Sequence, residues 1–211
     1  MGLVNFGIPD RETEYLKSAL NLNVFVEGGT YRGGTAQKMS HTFNKVITIE
    51  KSDAMYKQAK EKLSSIENIT MLKGDTREHL HHILKENDNI LFWLDAHWSG
   101  GETYGENDEC PLISELEIIF SYEKNHVILV DDARCFLSPP PKPHNYNNWP
   151  SLIDIMHVLP RDWEMAVFED VIYIFPHTVS LGFKKLLQDL ITHQSKSSST
   201  LLSYLFQKVG M

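Results

Sequence analysis

Short apolar runs and segments of helical spacing take turns along this chain, and that alternation limits the folds open to it more than any other feature. The runs fall at residues 24–26, 46–49, 69–72, 90–94 and 127–130, with helix-like segments at 34–43, 54–63, 76–84 and 112–120 between them. Residues 90–94 and 127–130 carry little polar interruption, as expected of strands covered on both faces. Strands repeated at this period and joined by helices imply a parallel sheet with right-handed crossovers. The pattern then changes. Residues 163–168 and 171–175 flank Glu169-Asp170 and read as an antiparallel hairpin. The expected class is α/β: a mostly parallel sheet closed by a C-terminal antiparallel hairpin, with helices on both faces.

The flanks are less regular. Tyr15, Leu16 and Ala19 give residues 10–20 helical spacing, with Asp10 as the expected cap and Glu12 and Glu14 in the first turn. Residues 138–150 are irregular and proline-rich. Residues 181–191 are amphipathic, 195–200 (SKSSST) read as a linker, and 201–209 as a short helix. The expected organisation is one domain over 1–194, with an N-terminal helical segment at 1–22, followed by a linker and short segment at 195–211.

With 211 residues and 42% hydrophobic content, a sizeable core is expected. A net charge of −8 argues against a general nucleic-acid binder. No apolar run is long enough to span a membrane, and no signal-peptide pattern opens the chain. The two cysteines, Cys110 and Cys135, fit free thiols in a reducing cytoplasm.

Chemistry concentrates at the strand ends. The stretch VEGGTYRGGTA (26–36) follows the first apolar run and packs Gly28, Gly29, Gly33 and Gly34 around Glu27. In an open α/β sheet, ligands bind beyond the carboxyl ends of the strands. Glycines there accept positive φ and close ligand approach. The spacing fits neither GxGxxG nor GxxxxGK[ST]. A carboxylate at that corner suits a ligand carrying an amino group and a sulfonium, and would repel a pyrophosphate. A tight turn with no ligand explains the glycines too. Two further acids occupy equivalent places. Glu50 ends the second strand, where it suits two ribose hydroxyls or a helix start. Asp75 follows the third in Lys73-Gly74-Asp75-Thr76, where it also serves as an N-cap.

The Glu27-x-Gly29-x-x-x-Gly33 pattern, with Glu50 and Asp75 in order behind it, resembles class I S-adenosylmethionine-dependent methyltransferases. The resemblance implies their Rossmann-like sheet and S-adenosylmethionine as cofactor. It implies cofactor contacts at Glu27, Gly28, Gly29, Thr30, Tyr31, Gly33, Thr35, Glu50, Lys51, Asp75, Thr76 and Asp95, with Asp75 facing the adenine amino group.

The fourth strand ends in ILFWLDAHW and the fifth in VILVDDARCF, which brings Asp95, Asp131 and Asp132 towards one rim. Crowded carboxylates repel unless compensated, and Mg²⁺ prefers such oxygen ligands. VEGGTYRGG, LDAHW and VDDAR together resemble the metal-dependent O-methyltransferases, most closely the macrocin (TylF-like) sugar enzymes, over roughly residues 24–135. That resemblance implies Mg²⁺ or a similar divalent cation held by Asp95, Asp131 and Asp132, and O-methylation of a small hydroxylated acceptor such as a sugar or vicinal diol. The lysine base of the catechol-type enzymes has no counterpart in residues 96–101, and His97, two past Asp95, is the best-placed base, with metal ligand and structural histidine facing the proline-rich loop as its other roles. Asp132 pairing with Arg134 and Asp131 capping a turn are the plainer alternatives.

Two loops flank this rim. Residues 99–111 are acidic and glycine-rich, suited to closing over a substrate. Residues 134–150 carry Phe136, His144, Tyr146 and Trp149, suited to an acceptor ring or to anchoring the loop on the core. His79, His81 and His82 share a helix but spread around it and make no metal site. Two other function classes remain open at this stage: a metal-dependent hydrolase built on the three aspartates, and a non-catalytic cofactor-binding protein. A small-molecule acceptor is the expected partner, with no membrane and with self-association left open.

Overall fold

The structure, a computed structural model, describes residues 7–95 and 108–209, with side chains through residue 194. A seven-stranded sheet runs in the order β3-β2-β1-β4-β5-β7-β6. Its strands are β1 (Val24–Gly28), β2 (Lys45–Glu50), β3 (Ile69–Lys73), β4 (Ile90–Leu94), β5 (Val127–Val130), β6 (Trp163–Phe168) and β7 (Val171–Pro176). The first five run parallel to one another, and β7 joins antiparallel to both β5 and β6. The helices are α1 (Asp10–Leu20), α2 (Gly34–Met39), α3 (Asp53–Leu63), α4 (Thr76–Glu86), α5 (Leu112–Phe120), α6 (Arg134–Leu137), α7 (Leu152–Val158) and α8 (Ser180–Val209).

Strand alternation divides the core in two. Val24, Val26, Ile90, Phe92, Leu94, Ile128, Val130, Ile172 and Ile174 point to one face and pack with α4, α5 and α7. The intervening Phe25, Leu91, Trp93, Val127, Leu129, Val171, Tyr173 and Phe175 point to the other and pack with α1, α2, α3 and α8. Each side chain of this size removed from water stabilises by roughly 1.5–3 kcal/mol. Facing both ways is why the central strands tolerate so few polar residues.

The β6–β7 hairpin turns at Glu169 and Asp170, with φ of 47° and 68°. Positive φ at both central residues matches the twist of the strands they join.

Three local expectations need correction. Pro9, not Asp10, is the N-cap of α1; Asp10 lies in the first turn and ion-pairs with Lys38. Helix α2 stops at Met39, well short of residue 43. Residues 195–200 form no linker: α8 runs through them unbroken to Val209. Nothing from residue 183 to 209 is glycine or proline, and serine disfavours helix too weakly to stop one already propagating. Among the described residues no helix is long and apolar enough to cross a membrane.

Candidate functional site: the carboxyl rim of β1, β2 and β4

The strand order reverses between β1 and β4: β1 leads outward to β2 and β3, then the chain returns to β4 and continues the opposite way. Such a switch point leaves a crevice beyond the strand ends. Gly28 ends β1 opposite Ile49 on one side and Leu94 on the other. The expected glycine corner therefore stands at the crevice itself.

The corner is built tightly. The N–H groups of Gly29 and Thr30 both donate to the Ile49 carbonyl, at 3.0 and 3.1 Å. The chain then turns through Gly29 (φ 92°), Tyr31 (φ 48°) and Gly33 (φ 70°) before α2 begins. At Gly33 the conformation and the space act together. A Cβ there would lie 2.9 Å from Leu63 Cδ1 and 3.0 Å from its Cγ. Gly33→Ala is expected to cost about 1–2 kcal/mol for the left-handed conformation, plus the displacement of Leu63. Urea denaturation of the variant checks this, and a loss below 0.5 kcal/mol on the order of measurement error would refute it.

Glu27 projects from the end of β1 and is 2% exposed. Thr48 Oγ1 donates to its Oε2 at 2.5 Å, Thr30 joins Thr48 at 2.5 Å, and the Thr35 hydroxyl also bonds the carboxyl. Among these donors none carries a positive charge. Burial, with Asp95 and Glu50 adding repulsion, pushes the Glu27 carboxyl up to about 8 against those hydroxyl bonds. A buried acid in this state gains most from a cationic ligand.

Glu50 ends β2 with both oxygens engaged: Oε2 accepts from Tyr31 N–H at 2.8 Å and Oε1 from Ser52 N–H at 2.7 Å. It thus ties the glycine turn to the start of α3, whose cap is Ser52. A carboxylate has about four acceptor sites, so capacity for hydroxyl donors remains.

Asp75 caps α4 through a capping box with Glu78. Its Oδ1 accepts from the backbone N–H and Nε of Arg77, at 3.0 and 2.8 Å. Its Oδ2 accepts from Arg77 Nη2 and Lys51 Nζ, both at 2.8 Å. The Arg77 bonds, followed by Lys51, hold this carboxyl well below the usual carboxylate range. Arg77 also reaches Asp108. Lys51, expected at the cofactor, is thus engaged by Asp75, and Thr76 is buried behind it.

The expected metal centre fares differently. Asp95 and Asp131 do reach one rim, since Asp95 N–H bonds the Gly28 carbonyl at 3.0 Å and Asp131 N–H bonds that of Leu94 at 3.2 Å. Asp132 turns away with φ of 58° and accepts from Arg134 Nη1 at 2.7 Å. Arg134 also pairs with Asp170 in the hairpin turn, and Asp131 Oδ1 accepts from Asp132 N–H at 2.8 Å. Among the described residues no group of three His, Cys, Asp or Glu side chains converges to hold a metal. Mg²⁺ held by Asp95, Asp131 and Asp132 does not fit this donor set. An Arg134 already paired to Asp132 supplies the compensation that a cation would have supplied. His97 lies outside the described residues.

The proline-rich segment is anchored on the core. Glu109, 2% exposed, accepts from Asn145 N–H at 2.9 Å, Trp149 Nε1 at 2.9 Å and His144 Nδ1 at 3.1 Å. Trp149 packs on Phe136, 5.5 Å between ring centroids. His79, His81 and His82 go to separate partners, Lys73, Tyr122 and Glu86. Both cysteines are free; burial pushes Cys110 up to about 12, which disqualifies it as a nucleophile at neutral pH.

The sequence reading missed Thr48, Arg77, Glu109 and Glu115. Two had signals. Thr48 interrupts an apolar strand, and Glu115 falls in the Leu112–Leu116–Ile119 stripe, where the helical period calls for an apolar residue.

No protein-family model and no curated protein matches the chain, but solved structures match its architecture. The SAH-bound methyltransferase PaMTH1 of Podospora anserina has a TM-score of 0.54 at 15% identity, covering 82% of this chain and 90% of that one. An O-methyltransferase of Bacillus cereus, also in complex with SAH, has a TM-score of 0.53 at 13% identity, with coverage of 80% and 82%. An rRNA methylase of Streptococcus thermophilus has a TM-score of 0.51 at 10% identity, covering 81% and 99%. The fold is the Rossmann-like methyltransferase fold. Within that fold the mostly parallel sheet and its terminal antiparallel hairpin agree with the sequence expectation. An O-methyltransferase and an rRNA methylase share this architecture, so the fold does not by itself select an acceptor.

Proposed function

We propose that the protein is an S-adenosylmethionine-dependent methyltransferase that methylates oxygen on a small hydroxylated acceptor, such as a sugar or vicinal diol. The observation that carries the reading is the buried Glu27 set beneath the positive-φ turn at the switch point. The residues present suit the cofactor. Glu27 supplies negative charge for its cationic end, and Gly29 and Gly33 give it bare backbone. Glu50 retains acceptor sites for ribose hydroxyls. When bound, S-adenosylmethionine supplies a methyl group activated by its sulfonium.

The chain's own part in the chemistry is then positioning and charge. Asp95 and Asp131 stand at the adjoining rim, where they orient an acceptor hydroxyl through hydrogen bonds. His97, two residues beyond Asp95, is the proposed proton acceptor. No step is assigned to a metal, because Asp132 is committed to Arg134. The same commitment weakens the hydrolase reading, which needs all three aspartates.

Calorimetric titration with S-adenosylmethionine is the direct test. Saturable binding at one site per chain is expected, unchanged by a chelator. Absence of binding, in folded protein free of copurified cofactor, would remove the methyltransferase reading.

A further inference from the structure

Asp75 is the residue that the sequence offers to the adenine amino group, yet it has no room for it. Its two oxygens already accept from four donors: the Arg77 N–H, Nε and Nη2, and Lys51 Nζ. That equals the acceptor capacity of a carboxylate. Both donating side chains, Arg77 and Lys51, are cationic and pull the electron density of the oxygens towards themselves. A neutral amine competes poorly there.

A second carboxyl stands beside it in the opposite condition. Glu115 lies in the first turn of α5, which packs on α4. It is 1% exposed, and its Oε1 has no hydrogen-bond partner among the described residues. Thr76, the residue after Asp75, bonds the carboxyl, and Asp75, Arg77 and Asp108 are its charged neighbours. Leu72, at the end of β3, and Leu94, at the end of β4, belong to the apolar cluster that includes Leu112, one turn before Glu115. A buried acceptor left without a donor costs about 1–3 kcal/mol. Nothing in the packing of α5 calls for it, since the neighbouring positions of the stripe are leucine and isoleucine.

We infer that Glu115, rather than Asp75, receives the exocyclic amino group of the cofactor's adenine. The inference rests on the proposed cofactor reading and goes beyond it by naming the residue that recognises the base. Chemistry favours the pairing. Burial pushes Glu115 up to about 8, which favours the protonated carboxyl at neutral pH. A neutral carboxyl offers one acceptor and one donor side by side, as an amide does, and that is the complement of an adenine edge. Asp75 then acts as a positioning residue: it holds Arg77 and the start of α4, and with them Thr76, against Glu115.

The test compares S-adenosylhomocysteine with its 6-deamino analogue, in which hydrogen replaces the amino group, by calorimetry on the full chain. Wild-type protein is expected to bind the parent about ten-fold or more tightly than the analogue, the effect of one buried polar pairing. Glu115→Leu should bring the ratio to near one, and Glu115→Gln should keep most of it. Asp75→Asn should leave the ratio in place, whatever it does to affinity. A wild-type ratio near one overturns the inference, as does a ratio that survives in Glu115→Leu or collapses only in Asp75→Asn. A second readout needs no variant. The protonated carboxyl's infrared carbonyl band should fall further on binding S-adenosylhomocysteine than on binding the analogue, which keeps the ring nitrogen that accepts the carboxyl O–H but has no amino group to donate to the carbonyl; identical spectra for the two ligands overturn the inference. Failure of wild-type protein to bind S-adenosylhomocysteine at all is a different result, and removes the methyltransferase reading itself.

Discussion

Glu27→Gln is expected to make the protein more stable above neutral pH and to weaken S-adenosylmethionine binding about 100-fold, the loss of a charge-assisted contact in a dry site. The two effects share one cause. Glu27 titrates at about 8 in the folded chain, against an ordinary value of 4.5. Between those values the folded state holds a proton that the unfolded state has released. Stability contributed by this group is therefore full below pH 4.5 and falls as pH rises towards 8, by about 1.4 kcal/mol per pH unit. Glutamine cannot ionise, so the variant escapes that decline and still accepts from Thr48. Urea unfolding should show wild type and variant alike at pH 4, with the variant ahead by about 2–4 kcal/mol at pH 8. Binding should move the other way. A cationic ligand favours ionised Glu27, so wild-type affinity rises with pH up to about 8, and the rise should be missing in the variant. Equal stability at pH 8, or an unchanged pH profile of binding, would mean that Glu27 is not the cation's partner. Active sites often store instability in this form, as a buried group that only the ligand satisfies.

Most of the sheet was legible because burial on both faces leaves parallel strands as short apolar runs. The run at 90–94, the run at 127–130 and the helix at 112–120 stand where expected. The hairpin was legible for a different reason: Glu169-Asp170 separates two apolar stretches by two residues, the length of a tight turn. Helices α6 and α7 were not read. Each is too short to show a period, at 4 and 7 residues. Helix α7 did carry a start signal, the capping box of Ser151 and Asp154. The extent of α8 was hidden by the serines at 197–199, which read as linker by composition although nothing there breaks a helix.

At the site, the positions of Glu27, Glu50 and Asp75 followed from the rule that ligands gather at carboxyl ends of strands, and the structure places all three at that rim. What each carboxylate has left to offer did not follow. Asp75 is filled by Lys51 and Arg77, one from the β2 side and one from α4. Glu50 is half used by Tyr31 and Ser52. Asp132, expected either beside Asp131 at a metal or paired with Arg134, takes the second course and turns through positive φ to Arg134. Such outcomes depend on how nearby donors fold back onto each carboxylate, Ser52, Arg77 and Arg134 from two residues away and Tyr31 and Lys51 from other elements, and residue spacing alone does not record that.

Glu109→Leu is expected to destabilise the protein by about 3–5 kcal/mol, the range for removing one partner from a buried charged network. The carboxylate receives the Asn145 N–H, the Trp149 indole and His144, all from the proline-rich segment. Burial pushes Glu109 up, but those donors, Asn145 first, outweigh it and hold the group below its ordinary range. A lowered folded value gives stability that is present at neutral pH and is lost as pH falls through that value. The deficit of Glu109→Leu relative to wild type should therefore shrink in acid. Leucine removes the carboxylate that accepts the Trp149 N–H, in a ring that is 8% exposed. The cheapest relief is for residues 138–150 to lift and let water in, since a proline-rich segment has few backbone bonds of its own to lose. Hydrogen exchange should then show residues 144–149 losing protection while β4 and β5 keep theirs. Uniform loss across the sheet would mean that Glu109 supports the whole fold, and no loss would mean that Trp149 packing alone holds the segment. Glu109→Gln separates charge from geometry. It keeps one oxygen for the indole but turns an NH₂ towards a second donor, so it should fall between wild type and leucine.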